Sequence, residues 1–209
     1  MSELSFKVVG AAPERHAAAP TMSFLLRVEC PAPVRGIALA CQIRIEPNRR
    51  DYSREDGERL LELFGDTPRW GDTVKPFLWT HVSTMIPAFE GTTELTLSVA
   101  CSYELEVAGA KYLHGLRGGE IPLLFLFSGT VFGADADRLS VSRVPWDREA
   151  RFRLPVSAWQ SMMDAYYPNA GWLRLDRETL DALMAFKARR ALPTWDGVMR
   201  ELLAREDRP

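Results

Sequence analysis

The chain has 209 residues, 46% hydrophobic and 26% charged, a composition that allows a sizeable core and excludes a disordered chain. Lys and Arg number 26 against 28 Asp and Glu, and the net charge of −2 at pH 7 gives no basic excess for nucleic acid or an anionic membrane surface. Neither partner is expected.

The start, Met1-Ser2-Glu3-Leu4-Ser5-Phe6-Lys7, has no basic opening followed by an apolar stretch, so no signal peptide is expected and the expected compartment is the cytoplasm. The longest strongly apolar run, Ile121 to Phe132, is interrupted by Pro122, Ser128, Gly129 and Thr130. It is too short to span a bilayer, and no membrane insertion is expected.

Strands dominate the first two-thirds. After a short one over Ser5 to Gly10, Met22, Phe24, Leu26 and Val28 alternate with Ser23, Leu25, Arg27 and Glu29. Ile37, Leu39, Cys41, Ile43 and Ile45 form a second alternating run, ended by Pro47. Ser53 and an acid three residues on, Asp56, predict one inserted short helix whose apolar face is Leu60, Leu61, Leu63 and Phe64, with Gly65 as its stop. Asp66 to Pro76 reads as a loop.

Strands resume over Phe77 to Ile86. Leu95, Leu97, Val99, Cys101, Tyr103, Leu105 and Val107 give the cleanest alternation, with Glu104 and Glu106 on the wet face. Ile121 to Phe132 is apolar on both parities, as a strand covered on both sides would be. Leu139 to Val144 and Ala150 to Leu154 bring the count to about eight. Strands without alternating helices predict an antiparallel β-sandwich.

The period then changes to three and four. Pro155 opens a helix with Val156, Trp159, Met162, Met163 and Tyr166; Asp176 is placed to cap a second, with Leu180, Leu183 and Met184. A third carries Trp195, Val198, Met199, Leu202 and Leu203. The expected fold is mainly β (α+β), a sandwich domain over 1–154, with a helical appendage of two or three helices over 155–209 packed on it.

Little in the sequence carries chemistry. Cys30, Cys41 and Cys101 lie far apart in apolar segments and read as buried thiols in a reducing compartment. His16, His81 and His114 have no metal-ligand spacing on any one element, so no metal site and no cofactor are expected. A weaker alternative lets His81 and His114 meet in space as a two-His site, and a hydrolase built from Asp72, His81 and His114 is weaker still. Phe127-Ser128-Gly129-Thr130 is no nucleophile elbow; it reads as a strand with a bulge or close approach at Gly129. Gly115, Gly118 and Gly119 match no phosphate-binding loop.

The loops set aromatics beside charge: Arg69-Trp70-Gly71-Asp72, Trp79 near His81, Pro145-Trp146-Asp147 and Gly171-Trp172-Leu173-Arg174. Trp, Tyr and Arg dominate binding hot spots, but the same residues also serve to pin loops onto a core.

Pro47-Asn48-Arg49-Arg50 through Arg69-Trp70-Gly71-Asp72 and Phe77-Leu78-Trp79-Thr80-His81-Val82 resemble an uncharacterised actinobacterial domain-of-unknown-function family. So do Lys111-Tyr112-Leu113-His114, Gly119 to Leu124, Pro168 to Leu173, and Lys187 through Trp195. That family is similar to proteins encoded beside nickel–iron hydrogenase genes, so the resemblance implies a setting and transfers no catalytic residue. The expected function is a non-enzymatic, protein-binding accessory protein whose partner is a hydrogenase subunit or maturation factor. A small-molecule or metal-binding module is the alternative. The expected interaction surface comprises Arg49, Arg50, Arg69, Trp70, Asp72, Trp79, His81, Lys111, Tyr112, His114 and Trp172.

Overall fold

A computed structural model describes residues 4–101, 107–135, 138–168 and 173–206. Its strands are β1 (Ser5–Pro13), β2 (Thr21–Ile45), β3 (Phe77–Ile86), β4 (Phe89–Ala100), β5 (Glu120–Asp135), β6 (Arg138–Arg143) and β7 (Glu149–Pro155). All pair antiparallel in one seven-stranded sheet. The chain is mainly β and antiparallel as expected, and among the described residues the strands number seven, where about eight were expected, joined in one hydrogen-bonded network.

The strand count falls by one because the two alternating runs on either side of Pro31 and Pro33 are a single strand. The first part of β2 pairs with β1 and β4, and the last part with β3 and β5. Between them the register slips at Cys30/Val34 against β4 and at Val34/Gly36 against β5. An irregularity that inserts one residue exchanges the two faces of a strand. The core accordingly takes even positions before it (Met22, Phe24, Leu26, Val28) and odd positions after it (Ile37, Leu39, Cys41, Ile43, Ile45). Proline, which has no N–H to donate, fits where the ladder is already broken.

The core lies along this strand. The Phe24 ring meets those of Phe125, Phe152 and Trp79 edge-on, with centroids 5.2, 6.0 and 6.1 Å away, and Phe6 stacks on Phe127 at 4.4 Å. Gly129 makes the β2–β5 contact possible: its φ is +143°, and an added Cβ would lie 2.0 Å from the Ala38 carbonyl oxygen. The close approach expected there is present.

Between β2 and β3 the chain forms a 3₁₀ turn (Pro47–Arg49), α1 (Arg54–Arg59), α2 (Leu61–Phe64), a second 3₁₀ turn (Thr67–Arg69) and α3 (Trp70–Thr73). The single expected helix is thus two, parted at Leu60, and the expected loop beyond Gly65 is itself helical. Gly65 ends α2 with φ +72°. α4 (Ala108–Gly115) occupies what the alternation ending at Val107 left as a strand end and loop. Tyr103, Glu104, Leu105 and Glu106 lie outside the described residues.

By compactness the chain divides into Met1–Trp172 and Leu173–Pro209. In the first unit, α5 (Val156–Tyr166) buries Val156, Trp159, Met162 and Met163 in the core, and its Tyr166 hydroxyl donates to the Ala17 carbonyl at 2.8 Å. The second unit contains α6 (Arg177–Arg189) and α7 (Trp195–Glu206). Asp176 stands at the start of α6 but its side chain makes no capping bond, whereas Thr194 accepts the Gly197 amide at 3.1 Å and caps α7. Lys187 lies 5.8 Å from the Trp195 ring centre, and Leu203 at the far end of α7 is 63% exposed. Among the described residues no helix is long and apolar enough to cross a membrane.

Candidate functional site

The chain enters the helical insert through Arg50, which the sequence places on the expected interaction surface. Its side chain is instead almost wholly buried, 3.5 Å from the equally buried Asp56 carboxylate. One Nη donates to the Glu120 carbonyl at 3.3 Å and the other to the Gly118 carbonyl at 3.0 Å. The turn Gly118–Glu120 thus wraps the guanidinium, whose carbon sits 5.0 Å from the Tyr52 ring centre.

Asp56 ties this turn to the start of α1. Ser53 Oγ accepts the Asp56 amide at 3.0 Å while Asp56 Oδ2 accepts the Ser53 amide at 3.2 Å, the reciprocal capping pair that the sequence predicts. Its other oxygen accepts the Arg117 amide at 3.0 Å, from beyond α4. A carboxylate so buried is stable only with such a full set of donors.

Tyr52 makes the next link. Its hydroxyl donates to the Pro47 carbonyl at 2.7 Å, so the 2.9 Å contact with the fully buried Tyr112 must use the Tyr112 proton. Burial pushes both phenols above their ordinary range; Tyr112 raises Tyr52 further, whereas the hydrogen bond to Tyr52 draws Tyr112 part of the way back. The Trp70 ring meets Tyr52 edge-on at 5.0 Å and Phe64 at 5.9 Å, and its indole N–H donates to the Gly65 carbonyl at 2.8 Å.

Over this framework lies a groove of about 950 Å³, open to solvent. Tyr52, Leu61, Pro68 and Trp70 give it an apolar lining; Asp51, Arg54, Glu58 and Asp66 supply charge. Arg54 pairs with Glu58 at 3.1 Å. Leu61, 49% exposed, is the most open large apolar side chain of the insert.

The other expected surface residues are scattered around it. Arg49 is exposed and 3.1 Å from Glu46; Arg69 and Asp72 are exposed on the second 3₁₀ turn and α3. Trp79 packs edge-on to Phe24 and lies against Gly109, and Lys111 pairs with Glu62. The buried side chains of Arg50, at the floor of the groove, and Tyr112 act as its supports. Trp172 lies outside the described residues. Trp146, by contrast, is 94% exposed.

His81 and His114 stand on different elements, β3 and α4. Along α4, Gly109 lies against Trp79, the Tyr112 ring is 5.7 Å from Phe77, and Gly115 abuts Leu60. The helix therefore runs back past β3 toward lower numbers, carrying His114 away from the exposed His81. Among the described residues no three His, Cys, Asp or Glu side chains gather as a cation site. His114 is half-buried beside a smaller cavity of about 250 Å³ with Arg59, Arg117 and Gln160. Burial, then the charges of Arg59 and Arg117, hold its imidazole below the usual histidine value. Burial also raises the Cys41 and Cys101 thiols to about 12, which keeps them protonated and unreactive.

The model of the Family of unknown function DUF6084 matches residues 1–209. The chain belongs to that family. No curated protein matches it. Among solved structures, the CARDB domain of a Pyrococcus furiosus protein in complex with di-metal ions is 9% identical, with 74% of this chain and 87% of that one covered at a TM-score of 0.29. A β-glucosidase from Kluyveromyces marxianus is 8% identical, with 73% of this chain and 15% of that one covered at a TM-score of 0.26. These likenesses are too slight to carry fold or function to the family member described here.

Sequence reasoning found Trp70 and missed the groove around it. Leu61, expected on the apolar face of the inserted helix, instead opens onto the groove, while Tyr52 and Pro68 had no signal of their own. Asp56 was visible as a capping acid, and only the fold adds Arg50 and the Arg117 amide to its partners.

Proposed function

We propose that this protein is a non-enzymatic accessory protein that binds another protein through the groove formed by residues 50–70. The observation that carries the reading is the groove itself: an open apolar surface of Tyr52, Leu61, Pro68 and Trp70 on a fully hydrogen-bonded base. Aromatic side chains held rigidly in this way lose little entropy on contact, which is what makes them dominant in protein interfaces. The resemblance to proteins encoded beside nickel–iron hydrogenase genes supports a hydrogenase subunit or maturation factor as the specific partner.

Affinity purification of the full chain from its native host, followed by mass spectrometry, tests both levels. The expected result is a hydrogenase component, recovered with the native chain and reduced when Leu61→Asp is introduced on the groove. Recovery of another partner, equally reduced by Leu61→Asp, would retain the groove and remove the hydrogenase setting. A partner indifferent to Leu61→Asp would place the contact elsewhere.

A further inference from the structure

The groove also has a charge pattern. Of its lining cations, Arg54 is matched by Glu58 and Arg50 by Asp56. Asp51 and Asp66 are both exposed, and neither carboxylate has an ion-pair or hydrogen-bond partner among the described residues. The surface thus combines an apolar lining with two uncompensated negative charges.

We propose, resting on the protein-binding reading above, that the groove takes an extended basic segment of its partner, with Lys or Arg side chains directed to Asp51 and Asp66. Long cationic side chains suit such a lining, because their methylene stems lie along Leu61, Pro68 and Trp70 while the charged ends reach the carboxylates. An acidic segment would meet the two unpaired carboxylates and be repelled. The capping and buried bonds of Asp56 and Arg50 hold the base still, so a bound segment need not order it.

The test uses the isotope-labelled full chain and two synthetic peptides, one of alternating Lys and Pro and one of alternating Glu and Pro, titrated by NMR. The Lys peptide is expected to bind and to move the amides of Asp51 and Asp66 and the Trp70 indole N–H; the Glu peptide is expected to leave them unmoved. Asp51→Asn and Asp66→Asn should each weaken the Lys peptide roughly threefold to fivefold, as expected for partly exposed ion pairs. Equal response to both peptides, shifts confined to other acidic surfaces, or unchanged affinity in the double Asn variant overturns the proposal. The double variant also separates this proposal from the broader reading in host affinity purification. A partner recovered equally by native and variant chains leaves the accessory function standing and removes the basic segment; a native chain that recovers no partner removes the accessory function itself.

Discussion

The strand β2 and the helical insert that follows it are neighbours in sequence and are held by opposite means. β2 is flanked by four other strands and is stabilised by apolar burial on one face of each half. The insert buries Leu60, Phe64 and Val74 but also depends on a few polar groups, of which Asp56 alone answers Ser53, Arg50 and Arg117. Burial tolerates exchange between apolar residues of similar size, whereas a buried charge fails when one partner is removed. The sheet should be robust to most conservative changes and the insert should be brittle at a few positions.

The largest effect should nevertheless come from the sheet, at the glycine whose added Cβ would lie nearest to backbone. Gly129→Ala forces a Cβ into the Ala38 carbonyl and a non-glycine residue to φ +143°, and is expected to cost more than about 4 kcal/mol or to abolish folding. A soluble variant with native thermal unfolding would overturn this account of the β2–β5 contact. Asp56→Ala comes next, at about 3–5 kcal/mol in chemical denaturation, because it leaves Arg50 buried without its counter-charge. Hydrogen exchange distinguishes the regions: protection should fall over 47–76 and around Arg117 while persisting in β2 and β5. Uniform loss of protection would mean that insert and sheet unfold together.

These contrasts also explain what could be read in advance. The alternation of β2 was legible because water faces one side of each half, yet Pro31 and Pro33 made one strand look like two. The capping pair of Ser53 and Asp56 was legible because it is local. Arg50 was placed on the interaction surface since nothing nearby in sequence says that Gly118 and Glu120, some 70 residues on, return to enclose it. Tyr112 likewise looked like a surface residue beside Lys111 and His114, but α4 turns it inward onto Tyr52, Phe64 and Phe77. The groove is made of long-range pairings, and the sequence period carries only local ones.

Smaller changes sharpen the contrast. Tyr112→Phe removes the proton that Tyr112 donates to Tyr52 and should lower stability by about 1 kcal/mol, with the Trp70 surroundings intact by near-ultraviolet circular dichroism. Acidification should act through His114, whose folded pKa lies below its unfolded value. Unfolding therefore takes up a proton as the pH falls through that window, so stability is present above the unfolded pKa and declines below it. His114→Gln should flatten that part of the stability-against-pH curve; an unchanged slope would exclude His114 as its source. Smallest is Trp146→Ala, which should leave stability within about 0.5 kcal/mol, since the ring is already in solvent.

The position of β2 has a consequence for the order in which the molecule can be made. On a ribosome, residues 21–45 emerge after their partner β1, but their other partners, β3, β4 and β5, follow later and end at Ile86, Ala100 and Asp135. For the time needed to add some ninety residues, a 25-residue strand with an apolar face waits with much of its backbone unpaired. Unpaired strand edges are the part of a nascent chain most open to pairing with the wrong neighbour. Slow translation or crowding of nascent chains should therefore harm the yield of this protein more than its equilibrium stability would suggest, and chaperones that shield extended apolar segments should restore it.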